Sequence, residues 1–252
     1  MRLLYLLSAV VCMLQGCRKT GEIGKTMQPA IDNAQAFQAI AAHSFVPVAF
    51  VLWDWRNSTA IPFMLNTDSG VWFDYKNGLL CPDGLIRKGK CLVNTNIGFS
   101  MNGFNDTILF SASPADSFAV MSSNGPVYFS GKLKFISFSA YSILINGKAD
   151  IRTLNKQSSI GIDGLIELYP KGQTTRSAKF KTRWNAYAFI TGGEVYHYDV
   201  TRDSFCFPCF SIGKGNNFTH SVSVDFNPFG NAACDPVVKF TYGREEWLED
   251  LW

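Results

Sequence analysis

The chain of 252 residues is poor in charge: Asp, Glu, Lys and Arg make up 17% of it, against 47% hydrophobic and 14% aromatic residues. So little charge with so many aromatics excludes a disordered chain. The charge present nearly cancels, and a formal +3 is too small to argue for nucleic acid. Seven cysteines in this length do not make a disulfide knot, and no period of about 20–50 residues marks a solenoid. Histidine is scarce, with three in the chain. There is no His-Glu-x-x-His, Gly-x-Ser-x-Gly, P-loop or dinucleotide fingerprint. No catalytic residue, metal site or cofactor is therefore assigned, and an enzyme is not the first expectation.

At the N-terminus, Arg2 precedes an apolar run from Leu3 to Leu14. This predicts a signal peptide over residues 1–16, too short to span a bilayer, which needs roughly 20 apolar residues. The following Leu14-Gln15-Gly16-Cys17 resembles a bacterial lipobox. That resemblance implies cleavage before Cys17, a diacylglycerol on its thiol and a stable membrane anchor, at about 0.8 kcal/mol per buried CH₂. An ordinary secretory leader, with Cys17 a plain thiol, is the alternative. The tether Arg18-Lys19-Thr20-Gly21-Glu22 begins basic, which leans to the periplasmic side of the outer membrane over the cell-surface side.

Residues 17–45 are expected to hold the lipidated cysteine, the tether and one short helix. Ile31, Ala34, Phe37, Ile40 and Ala41 recur at helical spacing, and Pro47 is placed to stop the helix. Residues 46–252 read as one β-rich domain; a division near Thr153–Ile160 is the second choice. Lys132-Leu133-Lys134-Phe135 and Lys179-Phe180-Lys181-Thr182-Arg183-Trp184 alternate, as a half-buried strand does. Turn pairs recur, among them Asn77-Gly78, Asn102-Gly103, Asn146-Gly147 and Asp163-Gly164. The expectation is a mainly β fold of about twelve short strands, an antiparallel β-sandwich or open barrel with one short N-terminal helix. Arg244–Asp250 reads as one helical turn.

Cys81 and Cys91 flank a hairpin tip with two glycines, and a bridge across it is expected. Cys206-Phe207-Pro208-Cys209 has the Cys-x-x-Cys form, but the turn formers after it leave no helix to lower a thiol pKa. With Cys234 it also lacks a fourth zinc ligand. The structural reading pairs Cys234 with Cys206 or Cys209, Cys209 being carried forward, and leaves one buried thiol.

The tail Asp225-Phe226-Asn227-Pro228-Phe229-Gly230-Asn231-Ala232-Ala233-Cys234-Asp235, followed by Val238, Phe240, Gly243 and Trp252, resembles the last β-hairpin of lipoproteins of the Bacteroidota. Together with Leu14 to Lys19, the likeness covers the first 20 residues and about the last 50. It implies export, lipid anchoring and a pairing of the Cys-Asp cysteine with an earlier one downstream of an arginine like Arg202. It implies no activity.

Surface candidates remain. Trp53, Trp55 and Trp72, with Phe73 and Tyr75, read first as core and second as a stacking surface for sugars or a partner. Lys179, Lys181 and Arg183 share a strand face, and Arg87, Lys88 and Lys90 make a basic tip. Their first reading is a solvated face, and their second is contact with anionic lipopolysaccharide or an acidic glycan. His197 and Asp199 share a strand face that reads first as exposed, and Asn66–Gly70 reads as a plain turn. Carboxylates such as Asp54, Asp74 and Glu167 cannot be paired in space from sequence. The combined reading is an outer-membrane lipoprotein with a non-catalytic binding or scaffolding role, held by its lipid and facing a glycan or envelope protein. The alternatives are a glycan hydrolase and a subunit of a surface fibre.

Overall fold

A computed structural model describes residues 27–44, 62–81, 84–95, 107–139, 142–169, 181–190, 193–203, 210, 212–217, 219, 221–230 and 237–251. The leader, Cys17, Trp53, Trp55, Lys179, Cys206, Cys209 and Cys234 lie outside the described residues.

Helix α1 covers 27–44, longer than the sequence spacing marked. Six of its residues are alanine, the best helix former, and Pro29 sits in its first described turn, where no N–H is missed. An ordinary surface helix buries one stripe. In α1 every residue from Ala36 to Ser44 is buried, so this stretch is enclosed on all sides.

The strands are β1 (Phe63–Thr67), β2 (Gly70–Asp74), β3 (Leu79–Leu80), β4 (Ile86–Lys88), β5 (Lys90–Thr95), β6 (Thr107–Ala112), β7 (Ala119–Ser122), β8 (Gly125–Ser139), β9 (Ser142–Arg152), β10 (Gln157–Tyr169), β11 (Lys181–Ile190), β12 (Val195–Asp203), β13 (Ile212–Asn217), β14 (Val222–Asp225), β15 (Val237–Tyr242) and β16 (Glu245–Asp250). All belong to one open antiparallel sheet whose main path runs β1-β2-β5-β6-β8-β9-β10-β11-β12-β13-β14-β15-β16. Among the described residues no second sheet makes a sandwich, so the open-barrel alternative describes the fold. The chain order is nearly the spatial order, as a meander requires. The β9–β10 hairpin crosses the division considered near Thr153–Ile160. Arg244–Asp250 is not helical: Tyr242 pairs with Glu245, and Gly243 (φ 62°) turns the chain so that β16 returns along β15.

The fifteen-residue β8 pairs first with β7 and then, from Gly131, with β6, while β9 follows its other edge. Gly131 has φ 127°, and a Cβ there would lie 2.5 Å from the Lys148 carbonyl oxygen. Only glycine allows β8 to approach β9 so closely at this point.

Strand side chains alternate as the pleat demands. On β11, Thr182, Trp184, Ala186 and Ala188 are buried, with Lys181, Arg183, Asn185 and Tyr187 on the other face. The buried faces meet α1. Phe37 stacks on Tyr198 (centroids 4.3 Å, 11°) and Phe210, and meets Trp184 edge-on. Asn33 donates to the Ala188 carbonyl and accepts from the Tyr198 hydroxyl at 2.9 Å. At the other end of α1, His43 lies against Phe118 and Phe129, which continue into Phe110. Contacts on both β4–β8 and β11–β12 mean that the sheet curls about the helix.

Candidate functional site

The interior of the β4–β8 wall holds unusual chemistry. Arg87 is fully buried, and its Nη2 donates to the Ala42 carbonyl at 3.0 Å, near the end of α1. A cation at the C-terminal carbonyls suits the helix dipole. This corrects the expected basic tip: β4 turns Arg87 inward and leaves Ile86 exposed. Lys90 is paired with Asp74 at 3.6 Å, and Lys88 reaches the Tyr128 hydroxyl at 3.2 Å. His43 is fully buried with neither ring nitrogen in a hydrogen bond. Burial, and then the Arg87 charge, hold its pKa well below the ordinary value, against a weak opposing pull from the Val127 backbone.

Cys81 and Cys91 are both buried, and the expected disulfide does not join them. Cys81 belongs to its own tight turn, with its N–H on the Leu85 carbonyl and its thiol directed at the Leu79 carbonyl. Cys91 sits opposite Phe73 in β5, inside the core. Burial pushes its thiol well above the usual range, which Arg87 opposes. Cys91 therefore lacks the lowered pKa of a reactive cysteine.

The outer face of β10–β12 carries the expected basic stripe and neutralises it. Arg183 donates from Nε and Nη2 to the two Asp199 oxygens at 2.8 and 2.7 Å, and reaches Glu167 at 3.4 Å. These hydrogen bonds hold the Asp199 carboxyl below its usual pKa. Lys181 is exposed beside them. The His197 and Asp199 pair is spent likewise: His197 bonds Asn185 at 2.9 Å and lies against the Tyr187 ring. The geometry here is a cross-strand network that engages Arg183 with two carboxylates.

The basic face is elsewhere. On the outer face of β8–β9, Lys132 stands directly opposite Lys148, and Tyr128 opposite Arg152. Lys134 lies two residues beyond Lys132, and Lys88 joins the row through β7, where Ala119 faces both Lys88 and Tyr128. Lys132, Lys134 and Lys148 are exposed. None of these five cations has a carboxylate partner among the described residues. The stripe from Tyr128 to Lys134 is about 20 Å long at the rise of a strand. Sequence reading took Lys132 to Phe135 only as a strand signal. The register that sets Lys132 against Lys148 is not visible in either segment alone.

Two concavities lie away from this face among the described residues. A shallow groove of about 290 Å³ is lined by Phe63, Leu65, Trp72, Asp74, Lys90 and Asp116. There the half-buried Trp72 pairs with the exposed Leu65, while Phe73 and Tyr75 enter the core. Trp72 thus departs from the core reading that its neighbours follow. A cavity of about 340 Å³ beside α1 gathers Asp32, Lys156, Asn155, Glu249 and Asp250 among others. Its Asp32 is paired with Lys156, and Glu249 accepts from the Trp247 indole. Asn66–Gly70 is the plain β1–β2 turn, closed by the Thr67 hydroxyl on the Gly70 carbonyl. Among the described residues no three His, Cys, Asp or Glu side chains gather to hold a metal.

No family model, no curated protein and no solved structure matches the chain.

Proposed function

We propose that this chain is a lipid-anchored envelope protein that binds an acidic glycan, without catalysis, through the outer face of β8–β9. The leader and Cys17 support the anchor. The crowding of Lys132 on Lys148, with Lys88, Lys134 and Arg152 in the same stripe, supports the anionic partner. Like charges directly opposite on neighbouring strands oppose folding. A partner that neutralises them recovers that cost and releases counterions besides.

A glycan suits the face better than a membrane surface. The exposed apolar side chains Phe138 and Leu144 lie toward the 139–142 end of the β8–β9 hairpin. The polar concavity beside Tyr128 lies toward the opposite end, where Ser113, Ser117, Ser130 and Gln157 offer hydroxyl and amide groups.

The test uses the full chain extracted in detergent, on immobilised dextran sulfate and on neutral dextran. Salt-sensitive retention on the sulfated polymer alone is expected, reduced at least tenfold by Lys132→Glu combined with Lys148→Glu. Equal retention on both polymers, or binding to anionic vesicles alone, would overturn the glycan reading. For the anchor, Cys17→Ser should move the protein from the membrane to the soluble fraction; a variant still in the membrane refutes lipidation at Cys17.

A further inference from the structure

Tyr128 is the centre of the basic end of the stripe. The Lys88 Nζ lies 5.1 Å from its ring centroid and the Arg152 guanidinium carbon 4.7 Å from it. Two cations on one ring each gain from the ring's negative face, but they repel one another. The Lys88 ammonium also donates to the Tyr128 hydroxyl oxygen at 3.2 Å. That contact uses the oxygen as acceptor and leaves the phenolic proton to be given elsewhere. No carboxylate is paired with either cation among the described residues.

Beside the ring is a concavity of about 120 Å³, lined by Tyr128 and Arg152 with Ser117, Ser130 and Gln157. The volume is well below the roughly 300 Å³ of an ordinary small-molecule site, so it takes one substituent group and not a whole ligand. Asp150, the one carboxylate lining it, accepts the Ser159 hydroxyl of β10. Ser117 stands at the rim with φ 50°, a left-handed conformation unusual for a side-chain-bearing residue.

We infer that Tyr128, Arg152 and Lys88 form a subsite for one tetrahedral oxyanion, a sulfate or phosphate monoester carried by the glycan. The inference rests on the reading of β8–β9 as the glycan-binding face and names the group that the glycan must bear. The donors are an ammonium, a guanidinium and a phenol on different strands. They gather around one ring, and together they offer enough donors for a tetrahedral group with three free oxygens. A planar carboxylate offers only two oxygens in one plane.

The experiment compares dextran sulfate with polygalacturonate, a carboxylate polymer, at matched charge and salt, on the full chain and its variants. The wild type is expected to prefer the sulfated polymer at least tenfold. Arg152→Gln should abolish that preference and Tyr128→Phe should reduce it several-fold. Lys132→Glu with Lys148→Glu should weaken both polymers alike. A phosphorylated dextran set beside the sulfated one tells the two esters apart. Equal binding of sulfated and carboxylated polymers, with Arg152→Gln and Tyr128→Phe neutral, overturns the subsite while leaving the face intact. Binding to neither polymer, with the lysine variants silent, overturns the face and the subsite together.

Discussion

On β10–β12 the outer cation Arg183 is clasped by Asp199 and reached by Glu167, and beneath it Phe37, Tyr198 and Trp184 pack beside Asn33, which is hydrogen-bonded to both β11 and β12. On β8–β9 the outer lysines face each other, and the wall beneath holds a hydrogen-bond-free His43 next to a buried Arg87. One sheet, folded about one helix, contains both arrangements. The first pairs its outer arginine with a carboxylate and stacks its inner aromatics. The second sets like charges opposite one another on its outer face. Regions that depart from local consistency are where function is expected, because a partner supplies what the fold withholds.

The contrast breaks most readily at Gly131. Gly131→Ala would drive a Cβ into the Lys148 carbonyl at a positive φ. A loss of about 2–3 kcal/mol is expected in chemical denaturation, more than any change on the surface of β10–β12. An unchanged midpoint would mean that the close approach of β8 to β9 is not required.

The interior half of the contrast is read by pH. His43 is held neutral when folded, so its folded pKa lies below the unfolded value of about 6.5. Below that value the unfolded chain takes up a proton that the folded chain refuses, and stability falls with acidification. The slope approaches about 1.4 kcal/mol per pH unit until the folded pKa is reached. His43→Leu should flatten the melting temperature between pH 6.5 and the acid limb; a parallel curve would show that another group controls it.

Smaller effects separate the outer faces. Arg183→Gln should lower stability by about 0.5–1 kcal/mol, since the pair is partly exposed, and should leave polyanion retention unchanged. Lys148→Glu should do the opposite, raising stability by about 0.5 kcal/mol through an opposite-charge pair with Lys132 while weakening retention. A variant at Lys148 that loses stability and retention together would place the lysine in the scaffold.

Much of the architecture was written in the residues. The spacing of Ile31, Phe37 and Ile40 marked the helix, and alternation in 132–135 and 179–184 marked β8 and β11. What local pattern cannot carry is who stands opposite whom. Arg183 and Lys132 look alike in sequence, each on an alternating strand. Only the pairing of β11 with β10 and β12 shows that Arg183 is neutralised, and only the pairing of β8 with β9 shows that Lys132 is not. Arg87 turned inward because a buried helix end needed a donor, a tertiary demand that no hydropathy pattern shows. The expected Cys81–Cys91 bridge is likewise not made: Cys91 faces the core opposite Phe73, while the Cys81 thiol turns to the Leu79 carbonyl.

The most direct test is backbone hydrogen exchange on the full chain with and without a sulfated glycan at low salt. Slowed exchange concentrated in β8 and β9, from Tyr128 to Lys134 and from Lys148 to Arg152, is the predicted result. Protection confined to β10–β12 or to the Trp72 groove would contradict the assignment of the binding face.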